Sequence, residues 1–383
     1  MMARGFGGRG RGFGGNRPRG GSARPITRFI SRPTFDPVLA EPAFPRVKPL
    51  PEETEFNQDL LNLNAQLSPT EEEEAAINNL MTKVRGILDK FILAPVAESS
   101  CQIEEVRPVG SYKKGTMMRG SNMADLVVIL KSMPARQAVD AMGMKLCQEL
   151  EQQDPKLGAT FTSNERGFHV SSGSATIRIM TATVPVNMKK LDSSLHLDYK
   201  ILQQNMAAVR QCRWFEESAH HSSIRVLIRI LKHLKNRYEL LNPLTPWMVD
   251  LLAHYCIMNQ PNRLIVSLPA AFRRALQLMA AGLFLPGSQG LIDPVESYGV
   301  RAHTAIPVAQ QDGVTIAAQT LLQILAYGGY QPVLGLDGSS KDLTTEVTVW
   351  NGVVVTPGEE VYVAATAEEE PETQDIEMKA SDE

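Results

Sequence analysis

The stretch Gly110-Ser-Tyr-Lys-Lys-Gly-Thr116 lies just ahead of Asp125, which begins a strongly apolar run. Its residue types suit phosphate contact. Glycine lets backbone amides approach phosphate oxygens, Ser111 adds a hydroxyl donor, and Lys113 or Lys114 adds positive charge. Taken alone, a Gly-Ser pair in a loop is more often an ordinary turn. A second group lies in residues 223–238, where Arg225, Arg229 and Lys232 follow at spacings of four and three and so share one helical face. In a generic helix such a face is simply solvated. His220 and His221 are adjacent, so they do not converge on one metal, and they read as cap or surface groups. His233 and His254 fall in helical segments and read as packed or solvated, and no Gly-x-Ser-x-Gly elbow is visible.

These residues need elements to position them. Ser68-Pro69-Thr70-Glu71 predicts a helix start, with Ser68 as N-cap, Pro69 in the first position and Glu71 completing a capping box. Ile77, Leu80, Met81, Val84, Ile87, Leu88, Phe91 and Ile92 then recur at helical spacing and build a buried stripe. Strand-like runs cover 103–107, 125–131, 159–162 and 175–184, with a helical stretch at 135–151 between the second and third. Mixed strands and helices predict an α/β or α+β first half. After about Leu197 helical patterns dominate, at 224–238, 246–258, 270–283 and 316–326, with a small β-like patch at 346–355. The proline-rich stretch 33–51 reads as extended along a surface.

Charge is unevenly placed. The net charge is −3, yet residues 1–34 hold eight arginines, no lysine and no acidic residue. Phe6 and Phe13 interleave with Arg4, Arg9, Arg11, Arg17 and Arg19 in a glycine-rich segment that has too little apolar surface for a core. Arginine supplies phosphate contacts and phenylalanine stacks on unpaired bases, so this leader reads as RNA-binding without sequence specificity. The opposite end carries Glu368, Glu369, Glu370, Glu372, Asp375, Glu377, Asp382 and Glu383 against Lys379, and reads as a solvated acidic tail. Cys101, Cys147, Cys212 and Cys256 form no CxxC pair, so neither a zinc site nor a disulfide framework is indicated. With no run of about 20 apolar residues and no apolar signal core, the expectation is an intracellular protein without a membrane span.

Residues 110–130, GSYKKGTMMRGSNMADLVVIL, resemble the signature of the polymerase-β-like nucleotidyltransferases, a glycine-serine turn followed by an Asp-x-Asp strand. The pattern is similar to that of oligoadenylate synthetases across Gly110, Ser111, Lys114, Gly115, Thr116, Asp125, Leu126, Val127 and Val128. Met123 stands where that signature has its first aspartate. In the superfamily, two strand carboxylates and a third on a neighbouring strand hold two divalent metals that activate the attacking hydroxyl and steady the leaving pyrophosphate. Residues i and i+2 share a strand face, so a thioether would lie beside Asp125, and hard cations prefer oxygen. The strand expected to supply the third acid, residues 175–184, has none. Catalysis is therefore expected to be lost, with Met123 and Asp125 as degenerate positions and no metal site. In the other register, Glu104, Glu105 or Asp192 takes over, although none has the i, i+2 relation to Asp125. The helix at 223–238 also resembles its oligoadenylate-synthetase counterpart, whose lysine reaches the triphosphate and corresponds to Lys232. Gly110, Ser111, Thr116, Asp125, Arg229 and Lys232 are thus the nucleotide-binding candidates, with weak NTP binding expected and no cofactor required.

Longer motifs resemble the DZF (domain associated with zinc fingers) family: AFPRVKP at 43–49, QIEEVR at 102–107, VGSYKKGTM at 109–117, RWFEE at 213–217 and AAGLFLPGS at 280–288. The resemblance implies an α+β fold, with a nucleotidyltransferase domain (mixed sheet and helices) at 35–197 and a helical half bearing a dimerisation surface at 198–357. Disordered segments at 1–34 and 358–383 would flank them. It also implies a heterodimer with interleukin enhancer-binding factor 3 or a related DZF protein bearing double-stranded RNA-binding domains. Such a complex would bind double-stranded RNA or DNA, regulate transcription and RNA metabolism, and be nuclear and nucleolar with a cytoplasmic pool. The chain itself shows no dsRBD, zinc-finger or RRM signature, which suits a subunit that borrows RNA affinity from its partner. Two alternatives stay open: an active template-free nucleotidyltransferase, and a stand-alone RNA binder acting through the leader.

Overall fold

Short runs rich in β-branched residues alternate with longer apolar stripes of helical period, and in the computed structural model they form strands and helices respectively. The structure describes residues 31–44, 53–94, 101–189, 191–192, 195–262 and 264–362. The leader arginines Arg4, Arg9, Arg11, Arg17 and Arg19 and the acidic residues from Glu368 onward lie outside them. In chain order the elements begin with α1 (Pro37–Ala40), α2 (Thr54–Leu67), α3 (Glu71–Leu93), β1 (Ile103–Val109), α4 (Gly110–Lys114) and β2 (Met123–Leu130). Next come α5 (Arg136–Gln153), β3 (Thr160–Asn164), β4 (Gly167–Ser172), β5 (Ala175–Thr183), α6 (Tyr199–Ser218) and α7 (Ser222–Arg237). The chain continues with α8 (Pro246–Met258), α9 (Leu268–Ala280), α10 (Val308–Ala326) and α11 (Tyr330–Leu334), then a hairpin of β6 (Thr348–Trp350) and β7 (Val353–Val355).

Five strands form one mixed sheet in the order β1-β2-β5-β4-β3, in which β2 and β5 run parallel and every other pair is antiparallel. One face buries Leu126, Val128, Ile177, Ile179, Phe168 and Val170 against α3 and α5. The opposite face is apolar at Val127, Ile129, Met180 and Ala182, where α6 covers it through Met206, Val209 and Cys212. The same face is polar at its other end, and there the candidate site lies. The helical half packs around α8, whose Trp247, Met248, Leu251, Leu252, Cys256 and Ile257 are all buried. Helix α2 precedes the sheet in sequence, yet its Phe56, Leu60 and Leu63 pack into that helical core.

The cap of α3 is Thr70, not Ser68: Thr70 Oγ1 accepts from the Glu73 amide at 3.2 Å, and Glu73 Oε2 accepts from the Thr70 amide at 2.8 Å. Ser68 instead ends α2, where its hydroxyl donates to the Asn64 carbonyl at 2.8 Å. Two helices meet at that Ser-Pro, so Ser68 closes the first and Thr70 opens the second. The stretch at 33–44 is not simply extended. Asp36 caps α1 and is itself buried, held by Arg274 (2.6 and 3.0 Å) and by the Tyr255 hydroxyl at 3.2 Å. The strand β4 was not anticipated, because Gly167, His169, Ser171 and Ser172 dilute its apolar signal. All four cysteines are buried, and each is a thiol rather than half of a disulfide. No described helix is long and apolar enough to cross a membrane.

Candidate functional site

The turn Gly110–Thr116 leaves edge strand β1 as a single helical turn, α4, rather than as an irregular loop. Gly110 (φ +68°) enters it, and Gly115 (φ +67°) closes it in the left-handed region that favours glycine. Gly110 lies hard against Asp125: a Cβ there would overlap the carboxylate oxygen Oδ2. The other oxygen, Oδ1, accepts a hydrogen bond from Arg178 Nε at 2.7 Å and forms an ion pair with its Nη2, also at 2.7 Å. Parallel pairing of β2 with β5 sets Asp125 directly beside Arg178, and Met123 beside Thr176. Burial pushes the Asp125 carboxyl above its ordinary range, against the pull of Arg178, Arg166 and Lys114. His169 on β4 stands opposite Arg178, and burial, then the Arg178 charge, lower its pKa.

Helix α7 grips the turn from the other side. Its apolar face (Ile224, Leu227, Ile228, Ile230, Leu231 and Leu234) is buried in the helical core, so the opposite side is presented to α4. Arg225 donates to the Lys114 carbonyl at 3.0 Å, and Arg229 to the carbonyls of Met117 (2.9 Å) and Gly115 (2.8 Å). Lys232 Nζ reaches Ser111 Oγ at 2.8 Å, the Thr116 carbonyl at 3.0 Å and Thr116 Oγ1 at 3.3 Å. Burial lowers the Lys232 ammonium to about 8, with Asp250 pulling the other way and Lys114 and Arg229 adding to the drop. The predicted candidates therefore converge: Gly110, Ser111, Thr116, Asp125, Arg229 and Lys232 all border one turn. The solvated-face reading of α7 does not apply, because Arg225, Arg229 and Lys232 are half-buried and hydrogen-bonded to α4 and the residues after it.

Lys113 and Lys114 do not supply free charge to a phosphate. Lys113 pairs with Glu216 at 2.7 Å. Lys114 is buried, pairs with Asp250 of α8 at 2.7 Å and faces the Trp247 ring 5.0 Å from its centroid. Neither Asp250 nor Arg178 stood out in the sequence. Asp250 occupies an otherwise apolar helix, a signal that could have marked it as a buried partner. Arg178 needed the strand register. His221 caps α7 by accepting from the Ser223 amide at 3.3 Å, and His233 bonds the Leu334 carbonyl at 3.0 Å, so both are structural.

The side chains at the metal-ligand positions do not fit a divalent cation. Met123 offers sulfur, Thr176 beside it a neutral hydroxyl, and Asp125 has one oxygen on a guanidinium and the other against Gly110. Among the described residues, no cluster of three or more His, Cys, Asp or Glu side chains could hold a metal ion.

Residues 23–220 match the DZF N-terminal domain and residues 223–356 the DZF C-terminal domain. The chain belongs to the DZF family. Its fold is similar to that of E. coli MS115-1 CdnC solved with ATP, with a TM-score of 0.52 and 15% identity over 74% of this chain and 98% of that one. CdnC in complex with HORMA-deltaN gives 0.51 and 14% over 74% and 96%. The Cid1 poly(U) polymerase with Mg and 3'-dATP gives 0.50 and 12% over 75% and 98%. At such identities the likeness concerns the fold, which is that of the nucleotidyltransferases.

Proposed function

We propose that this DZF protein is a catalytically inactive nucleotidyltransferase-fold subunit of a heterodimeric DZF complex. One observation carries the reading: the surviving carboxylate, Asp125, is bonded to Arg178 from the strand that would have supplied another acid. Two-metal phosphoryl transfer needs oxygen ligands on both sides of that strand pair, and here one position holds Met123 and the other a guanidinium. In this reading the fold is retained as a scaffold, with weak nucleoside triphosphate binding at Ser111, Thr116 and Lys232. A DZF partner bearing double-stranded RNA-binding domains supplies affinity for RNA and DNA, and the leader arginines add contacts to phosphate. Regulation of transcription and RNA metabolism, in the nucleus and nucleolus with a cytoplasmic pool, goes with that assignment.

The test is nucleotide addition to RNA by the purified full chain with Mg²⁺ or Mn²⁺. No extension is expected, either from the natural chain or from Met123→Asp, because β5 still lacks an acid and still presents Arg178. Turnover by the natural chain that Asp125→Ala abolishes would instead establish an active template-free nucleotidyltransferase.

A further inference from the structure

The Asp125–Arg178 pair also bears on how a nucleotide would be held, an inference that rests on the nucleotide reading above. A carboxylate that serves a metal must turn at least one oxygen toward it, and octahedral Mg²⁺ tolerates little distortion. Here Oδ1 faces Arg178 Nε and Nη2, each at 2.7 Å, and Oδ2 lies so near Gly110 that a Cβ there would overlap it, a closeness that a glycine with φ +68° allows. Arg178 bonds Asp125 through only one edge of its guanidinium, and its side chain keeps 35% exposure. A guanidinium has five donors, so an edge remains for a phosphate oxygen. The surroundings carry positive charge without a metal. Lys232 lies across the turn at Ser111, and Asp250, the nearby acid on α8, is already neutralised by Lys114. An approaching Mg²⁺ would meet Arg178 as a like charge.

We propose that Arg178 takes the place of the divalent cation, so that this site binds nucleoside triphosphates without metal, through Arg178, Lys232 and Ser111. The active members of a two-metal fold bring their cations with the substrate, whereas this chain carries its cation on β5, fixed by strand register to Asp125.

The experiment is calorimetric titration of the full chain with ATP, once in EDTA and once in excess Mg²⁺. The affinity is expected to agree within about threefold between the two conditions, since no ligand is left to bridge a metal. Arg178→Gln removes a charge-assisted contact and releases Asp125. Its affinity in EDTA should fall by about tenfold or more, with Mg²⁺ recovering part of the loss. Should that variant fail to fold around an unpaired Asp125, the double variant Asp125→Asn, Arg178→Gln removes both charges, and it should show the same loss without rescue by Mg²⁺. Tightening of the natural chain by tenfold or more on adding Mg²⁺ would overturn the role of Arg178 and leave nucleotide binding intact. Full EDTA affinity in the double variant would overturn it as well. Absence of heat with ATP under both conditions would remove the nucleotide reading itself, and this inference with it.

Discussion

Around Asp125 the close contacts leave little room for substitution. Gly110 combines a positive φ with direct contact on the carboxylate, so Gly110→Ala adds left-handed strain of at least about 1–2 kcal/mol and pushes Asp125 away from Arg178. Urea unfolding of that variant should show at least this loss, and an unchanged midpoint would contradict the packing described. Lys232 makes a different test. Burial holds its ammonium at about 8, below the roughly 10.4 of an unfolded chain, so between those values the unfolded chain binds more protons. Stability should therefore rise through that pH window on account of this group. Lys232→Met should flatten the rise, as read from urea midpoints measured across the window for both proteins.

Among elements, the junction of α4 with α7 and α8 joins the sheet half to the helical half. The Lys114–Asp250 pair crosses it with both side chains under 10% exposed, and Asp250 Oδ1 finds no hydrogen-bond partner among the described residues. Removing one member strands the other charge in the interior, which costs about 3–5 kcal/mol. Lys114→Met or Asp250→Leu should each destabilise by that order. The double variant Lys114→Met, Asp250→Leu should recover most of the loss, because two apolar side chains beside Trp247 and Phe215 need no desolvation. A double-mutant cycle on urea midpoints reads the coupling directly, and additive losses would mean the two charges act independently.

Across the whole molecule, the two halves are tied by more than this pair. Helix α2 comes before the sheet in the chain but lies in the helical core, and Arg229 bonds both α2, through Asn64 at 3.2 Å, and the turn after β1. Such interleaving predicts one cooperative unfolding transition rather than one per half. The three tryptophans, Trp214, Trp247 and Trp350, all belong to the helical core, whereas far-UV dichroism also reports the sheet. Fluorescence and dichroism should therefore give coincident urea curves. Separate midpoints would show that the halves unfold independently.

Much of this architecture was legible from periodicity, because a stripe such as Ile77 to Phe91 or a run such as Leu126–Leu130 states which face or segment is buried wherever it ends up. The glycine-serine turn, the basic side of α7 and the loss of the acid at residue 123 were legible too, since residue type and local spacing carry them. Boundaries were not: the helix start near Ser68 was misassigned because capping is a contest between two adjacent helices, and β4 went unseen because its small polar residues take their strand state from β5. By itself the sequence determined that Asp125 lacks its i−2 carboxylate. Only the tertiary structure decided what pairs with that carboxylate, because the Asp125–Arg178 contact spans 53 residues and exists only through the register of two parallel strands. The same holds for Lys114, whose local surroundings suggest a phosphate ligand and whose partner, 136 residues away on α8, makes it part of the interior. Local spacing encodes faces and caps. Pairing between distant charges depends on how the elements are brought together.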